Sequence, residues 1–354
     1  MGAKIRPDWT SIGALTLVLG LALYLFVHGG IAGLTDYAIF AGIYAVFTLG
    51  LNVHWGFTGL FNIGIAGFFA LGAYTSALLT TPPPDPLMFE DFKFGGDLAV
   101  RLGHLDLWFP VALLAAGAIC GLVALFLGFI TLRLREDYLA IATLGIAESV
   151  RLLFLNERWL GNGSKGLYRI PKFLGDLVSP ENYDYLYLVV VVVVLVILYI
   201  AVERVIKSPW GRVLKAIRED EVTTAASGKN VFSFKLQSFI LGAFIMGIGG
   251  ALYAHNVRFV DPSTFDPLLA TFIIWAMLML GGSGNNMGAI LGAFVVWGIW
   301  TGTQHLPGFL SDPNFRFVMV GLLIVGVILL RPGGILGERR KVSAHVEPPR
   351  GAAP

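Results

Sequence analysis

From Tyr185 to Val202 the chain reads YLYLVVVVVVLVILYIAV, with no charge anywhere in it. A run of valines can form a buried strand in a soluble protein, but such strands stop after about eight residues. This run continues for nearly the ~20 residues that a helix needs to cross the hydrocarbon core of a bilayer. Its length and flanks therefore predict a membrane helix. Comparable runs recur along the chain. The candidate segments are Ser11 to Val27, Asp36 to Val53, Leu60 to Leu79, Phe109 to Leu132, Tyr138 to Leu155, Tyr185 to Val205, Phe234 to His255, Pro267 to Leu280, Met287 to Thr303 and Phe315 to Leu330. The stretch from Pro267 is short enough to be broken or re-entrant. Only 14% of residues are charged and 56% are hydrophobic, whereas a soluble domain carries about 25% charge. The expected fold class is all-α: a polytopic membrane helical bundle of about ten segments (roughly 8 to 11), some broken or re-entrant.

Charge sorts the connections. With ten segments and both termini on one side, that side holds 16 of the 25 Lys and Arg residues and nets +7, while the opposite loops net −5. Lys and Arg accumulate in cytoplasmic loops, which puts both termini inside. The first segment, preceded by Lys4 and Arg6, has the outline of a secretory signal, but no convincing small-x-small cleavage site follows, so it is read as the first span. No connection is long enough for an enzyme domain. The largest external loops are 80–108 and 156–184, and the charged cytoplasmic loop is 203–234. Residues 1–334 thus read as one membrane domain, and the Pro-, Gly- and charge-rich tail, 335–354, is expected to be cytoplasmic and disordered. A net charge of +2 gives no reason to expect nucleic acid, and the lone Cys120 excludes an intrachain disulfide.

The 44 glycines concentrate inside apolar segments, as in GFTGLFNIGIAGFFALGAY from Gly56 and LGGSGNNMGAILGA from Leu280. Small residues such as the Gly288-x-x-x-Gly292 pair let helix backbones approach closely in lipid. The Gly-rich stretches fit either a tightly packed bundle or an internal repeat around a translocation path. GGSGNNMG does not fit G-x-G-x-x-G and reads as a turn. Ionisable residues at membrane depth are functional candidates because their desolvation is costly. Glu148 and Arg151 qualify; three apart on a helix, they can pair, as a structural ion pair or as part of the path. Asn52 and Asn62 flank the turn between the second and third segments and serve either freed backbone or a substrate. No H-E-x-x-H or other metal motif appears, which leaves little basis for an intramembrane enzyme, and a proton-driven transporter would have one intramembrane acid to use.

The loop ERVIKSPWGRVLKAIREDEVTTAASGKNVFSF contains a further helix. Ser208 followed by Pro209 suits its start, Ser as cap and Pro at the first position. Trp210, Val213, Leu214 and Ile217 form one apolar stripe, with Arg212, Lys215 and Glu219 away from it. Gly228 suits a C-cap, and Asn230 or Ser233 can cap the next span. A basic amphipathic helix can rest on anionic headgroups, but the acid cluster Glu219, Asp220 and Glu221 favours a protein partner.

AIREDEVTTAASGKN, followed by KLQSFILGAFIMGIGGALYAH and LGGSGNNMGAILGA, closely resembles the permease subunits of ABC transporters for branched-chain amino acids, the LivM/LivH type, and most of all the LivM-like subunit. LNVHWGFTGLFNIGIAGFFALGAYTSALL, LRLREDYLAIATLGIAESVRLL and GNGSKGLYRIP match in the same order, so the resemblance runs from about Ala38 to Gly334. It implies an ABC-importer permease fold in a bacterial inner membrane, paired with a second permease subunit and two cytoplasmic ATPase subunits, and fed by a periplasmic or extracellular amino-acid-binding protein. ATP and Mg would be used by those ATPases; the chain has no Walker A sequence and no cofactor of its own. The charged loop would be the coupling helix, with Glu221, Ala225 and Gly228 at its motif positions and Arg218, Glu219 and Asp220 beside them. Asn62, Glu148 and Arg151 are the candidates for the translocation path. Departures occur at Thr223 and Thr224, where the family commonly has alanines, at Lys229, where an apolar residue is usual, and at Ile65, where many relatives have histidine. Relatives with similar permeases import other neutral amino acids, urea or short amides, which leaves the substrate open.

Overall fold

A computed structural model describes residues 9–85, 91–102, 107–175, 178–308, 312–330 and 333–338. All ten apolar stretches are helical over most of their length. The α-helices of more than four residues are α1 (Trp9–Leu51), α2 (Ile65–Thr80), α3 (Trp108–Thr131), α4 (Glu136–Asn156), α5 (Tyr183–Lys207), α6 (Pro209–Glu219), α7 (Glu221–Ala226), α8 (Val231–Val257), α9 (Pro267–Gly281), α10 (Asn286–Gly302) and α11 (Pro313–Leu330). α1 carries the first two stretches and breaks at Gly30, whose φ of 65° lies outside helical space. Leu15–Gly56, Trp108–Thr131, Asp137–Asn156, Pro180–Lys207 and Val231–Val257 are long and apolar enough to cross a membrane by length and composition. Ile65–Thr80, Leu269–Gly281 and Asn314–Leu323 are shorter apolar helices. Among the described residues the one β pairing is an isolated antiparallel bridge between Leu167 and Val260.

α8 is the central helix, packed along α2 and α3, while α1 packs along α10 and α8. Glycine sets these approaches. A Cβ on Gly288 would stand 2.6 Å from the Gly281 carbonyl oxygen, and one on Gly292 would collide with that of Met277, so α9 and α10 meet backbone to backbone as the small-residue spacing predicts.

The helix break is not at the short Pro267 stretch, which forms a continuous helix. It lies at the start of the third stretch, where Leu60 to Gly64 were expected to be helical. The chain leaves α1 through a π-helical turn, Asn52–Gly56, and residues 59–64 are irregular before α2 begins. Gly59, with φ of 77°, makes the turn. Irregular backbone at membrane depth requires protein partners for its polar groups, and two other helices, α4 and α9, and the stretch itself supply them. Ile63 N donates to Thr143 Oγ1 (3.1 Å) and Gly64 N to Asn62 Oδ1 (2.8 Å). Thr271 Oγ1 donates to Ile63 O (3.1 Å) and Trp275 Nε1 to Asn62 O (3.0 Å).

Packing also continues past residue 334, where the tail was expected to begin. Ile335 N donates to Leu280 O (2.8 Å) and Leu336 N to Gly281 O (2.9 Å). The last carbonyls of a helix have no partner within it, and the segment 333–338 supplies donors to those of α9. Residues 339–354, the rest of the expected tail, lie outside the described residues, as do Lys4 and Arg6.

Candidate functional site

The charged loop folds as two short helices set against the bundle. α6 starts at Pro209 as expected, but Ser208 does not cap it: its hydroxyl donates back to Val205 O (2.6 Å). The apolar stripe faces the chain's own bundle, with Leu214 and Ile217 buried and Trp210 and Val213 half-buried. Trp210 Nε1 donates to Gln237 Oε1 at 2.8 Å. The stripe therefore anchors the helix, and any partner must meet the opposite side. From Glu219 to Asn230 every residue except Thr224 is exposed, with Val222 78% exposed. That exposed valine between two polar neighbours carries no periodic signal and was missed in the sequence.

Asp220 caps α7. Its Oδ1 accepts from Val222 N (2.9 Å) and Thr223 N (3.1 Å), and its Oδ2 from the Thr223 hydroxyl (2.6 Å). Those bonds, led by the Thr223 hydroxyl, hold the Asp220 carboxyl below its ordinary value. Thr223, a departure from the family pattern, thus completes the cap. Glu221 pairs with Lys235 at the start of α8. Gly228 ends the unit with φ of 83° and its N–H on Ala225 O (2.9 Å), the C-cap its sequence predicts. Asn230, not Ser233, caps α8, accepting from Ser233 N (3.1 Å).

At the base of α6 lies a junction that local sequence does not announce. Arg218 Nη1 donates to Gly56 O at the end of the π-helical turn. Its Nη2 donates to Glu338 Oε2 (2.6 Å), and Lys215 Nζ donates to Glu338 Oε1 (2.5 Å). Lys215, expected to lie away from the packed side, is half-buried here. Polar contacts continue inward: Gly284 N donates to Asn52 Oδ1 (2.9 Å), Asn52 Nδ2 to Asn286 Oδ1 (2.9 Å) and Asn286 Nδ2 to Glu203 Oε2 (2.7 Å). The loop helix, the π-helical turn before the break, the α9–α10 turn and the end of α5 are thereby joined by hydrogen bonds.

Asn62 is fully buried in the break. Its Nδ2 donates to His54 Nδ1 (3.1 Å), and His54 Nε2 donates to Phe239 O (2.9 Å), which makes His54 the neutral Nε2–H tautomer. Glu148 and Arg151 form a two-bond pair at 2.8 and 2.5 Å on α4, both half-exposed on the outside of this chain. So Arg218 to Gly228 come together, Asn62 sits in the break, and the Glu148–Arg151 pair stands apart on α4. Among the described residues no group of three or more His, Cys, Asp or Glu side chains could hold a metal.

The family described as branched-chain amino acid transport system / permease component matches residues 33–328. The chain belongs to that family. The high-affinity branched-chain amino acid transport system permease protein LivM of Escherichia coli (strain K12) is 32% identical over 347 residues, covering 92% of this chain and 74% of its own. A probable branched-chain amino acid transport permease protein LivM of Methanocaldococcus jannaschii is 26% identical, covering 84% of this chain and 91% of its own. The autoinducer 2 import system permease protein LsrC of Enterobacter sp. (strain 638) is more distant, 27% identical over 62% of this chain and 63% of its own. No solved structure matches. Family membership and the apolar helices together make this a multi-pass membrane protein, and its relatives are permease components rather than enzymes.

Proposed function

We propose that the chain is the membrane-spanning permease subunit of an ATP-driven ABC importer for branched-chain or other neutral amino acids. It lies in the bacterial inner membrane with both termini cytoplasmic and pairs with a second permease subunit. Two cytoplasmic ATPases hold the ATP and Mg, and an external binding protein delivers the substrate. The two-sided loop carries the proposal: α6 is sewn to the bundle by Leu214 and Ile217, while Glu219 to Asn230 project as an exposed tip. That is what a lever between a soluble motor and a membrane path needs. Glu219, Asp220, Glu221, Ala225 and Gly228, with Val222 among them, then form the docking face, and Arg218 carries displacement to Gly56 and the break that holds Asn62.

Contacts among the loops support about ten crossings in this orientation. The charged loop meets Gly56, Gly284 and Glu338. Other connections meet one another separately: Lys93 N donates to Trp159 O (2.9 Å), Asp91 pairs with Lys165 (3.6 Å), and Leu167 bridges Val260. These are the two groups that the charge count separates. Glu148 closes on Arg151, which speaks against a lone acid serving as a proton carrier; the pair instead offers the path a neutral, polar strip on α4.

The assembled transporter tests this in proteoliposomes. Leucine uptake should collapse when ATP hydrolysis in the partner is blocked and survive a protonophore; the reverse pattern would replace the proposal with a secondary transporter. Competition by valine and isoleucine, rather than by urea or short amides, is the outcome expected for the substrate.

A further inference from the structure

The family match ends at residue 328, before a segment that the bundle has been shaped to receive. Residues 333–338 cross the α9–α10 turn, where Leu336 O accepts from Asn285 Nδ2 (3.0 Å) in addition to the two backbone bonds to α9. The glycines of GGSGNNMG make the seat. Gly282 and Gly284 have φ of 109° and 80°. A Cβ on Gly282 would stand 2.8 Å from Leu336 O, and one on Gly284 would stand 3.0 Å from Glu338 Oε2 and 3.1 Å from Arg218 Nη1. The turn motif thus has a second duty that its sequence alone does not disclose: it leaves room for the segment and for the Arg218–Glu338 contact.

Resting on the coupling role proposed above, we infer that Gly333–Glu338 is a strap that fixes α6 to the α9–α10 turn and to the helix break, with Glu338 as the positioning residue. Apolar contacts at Leu214 and Ile217 hold α6 against the bundle but leave it free to slide, because dispersion contacts are not directional. Glu338 removes that freedom. One carboxylate oxygen takes Lys215 and the other takes Arg218, and charge-assisted bonds in this arrangement fix orientation as well as distance. Arg218 spends a second N–H on Gly56 O, so the strap, the loop helix and the break move as one body.

The test uses the transporter reconstituted with its partner subunits. Glu338→Gln at normal membrane abundance should lower uptake roughly threefold to tenfold while ATP hydrolysis continues, and amide exchange at Ile335 and Leu336 should rise. Lys215→Glu should be impaired in the same way, and Lys215→Glu combined with Glu338→Lys should recover at least part of the loss, which a purely steric role would not give. Unchanged exchange in Glu338→Gln would mean that the carboxylate does not hold the strap and would overturn the inference. Raised exchange with an unchanged ratio of uptake to hydrolysis would also overturn it, leaving the loop's coupling role intact. If Gly228→Val likewise left uptake normal, the coupling role itself would fall, and the strap's function with it.

Discussion

Two of the ion clusters in this apolar chain are built on opposite plans. On α4, Glu148 and Arg151 are three residues apart and close on each other, so their bonds tie one helix to itself. At the base of α6, Lys215 and Arg218 close on Glu338, 123 and 120 residues away, at nearly the same distances. The ions are of the same kind; the reach is not. The first joins residues of one helical turn, whereas the second joins the loop helix to the segment 333–338 and, through Arg218, to Gly56. Proximity in sequence thus says little about how much structure an ion pair controls.

The largest effect is expected from Arg218→Ala, which strips donors from Gly56 O and from one oxygen of Glu338. It should cost about 1–3 kcal/mol and at least about tenfold in uptake, read by thermal melting in nanodiscs and by transport. Melting at the wild-type temperature would reduce the junction to an ordinary surface pair. Gly284→Val comes next, since it forces a branched side chain into left-handed backbone beside Glu338. A loss of about 1–3 kcal/mol is expected, with uptake falling in parallel. On α4 the contrast is sharp: Gly145 has no atom within 4 Å of where a Cβ would stand. Gly145→Ala should therefore stabilise the helix by up to about 1 kcal/mol, and destabilisation there would mean that the assembled transporter packs against this face.

Glu148→Gln keeps an amide oxygen for Arg151 but removes its counter-charge on a membrane helix, and should cost about 1 kcal/mol. If this face lines the path, uptake also falls; normal uptake at normal abundance would remove Glu148 and Arg151 from it. The smallest effect near neutrality is the pH dependence of the junction. Burial alone would raise the Glu338 carboxyl, but its bonds to Lys215 and Arg218 outweigh that and hold it below the ordinary 4.5. Its stabilisation is therefore complete above about pH 4.5 and is lost as pH falls through the depressed value. The difference in melting temperature between wild type and Glu338→Gln should stay constant down to that point and vanish below it.

What was legible in the sequence is what local spacing encodes. The apolar runs, the Gly228 cap and the Glu148–Arg151 pair each need only a few neighbouring residues. The break at 59–64 escaped because hydropathy continues across it; the side chains that permit it, Thr143, Thr271 and Trp275, come from distant helices. Lys215 was misplaced for the same reason, since the partner that draws it inward lies in the tail. Ser208 shows the converse. Its type and position suit a cap, yet both its hydroxyl and its N–H go back to the carbonyl of Val205 in the last turn of α5.

The most direct measurement is the ratio of amino acid imported to ATP hydrolysed by the reconstituted transporter carrying Gly228→Val. No atom lies within 4 Å of a Cβ at Gly228, so the bundle should stay folded while the tip of the loop, held at a φ of 83°, is forced to change shape. Hydrolysis continuing while import collapses is the predicted result. Import and hydrolysis both at wild-type levels would contradict the assignment of this loop as the element that couples the motor to the membrane.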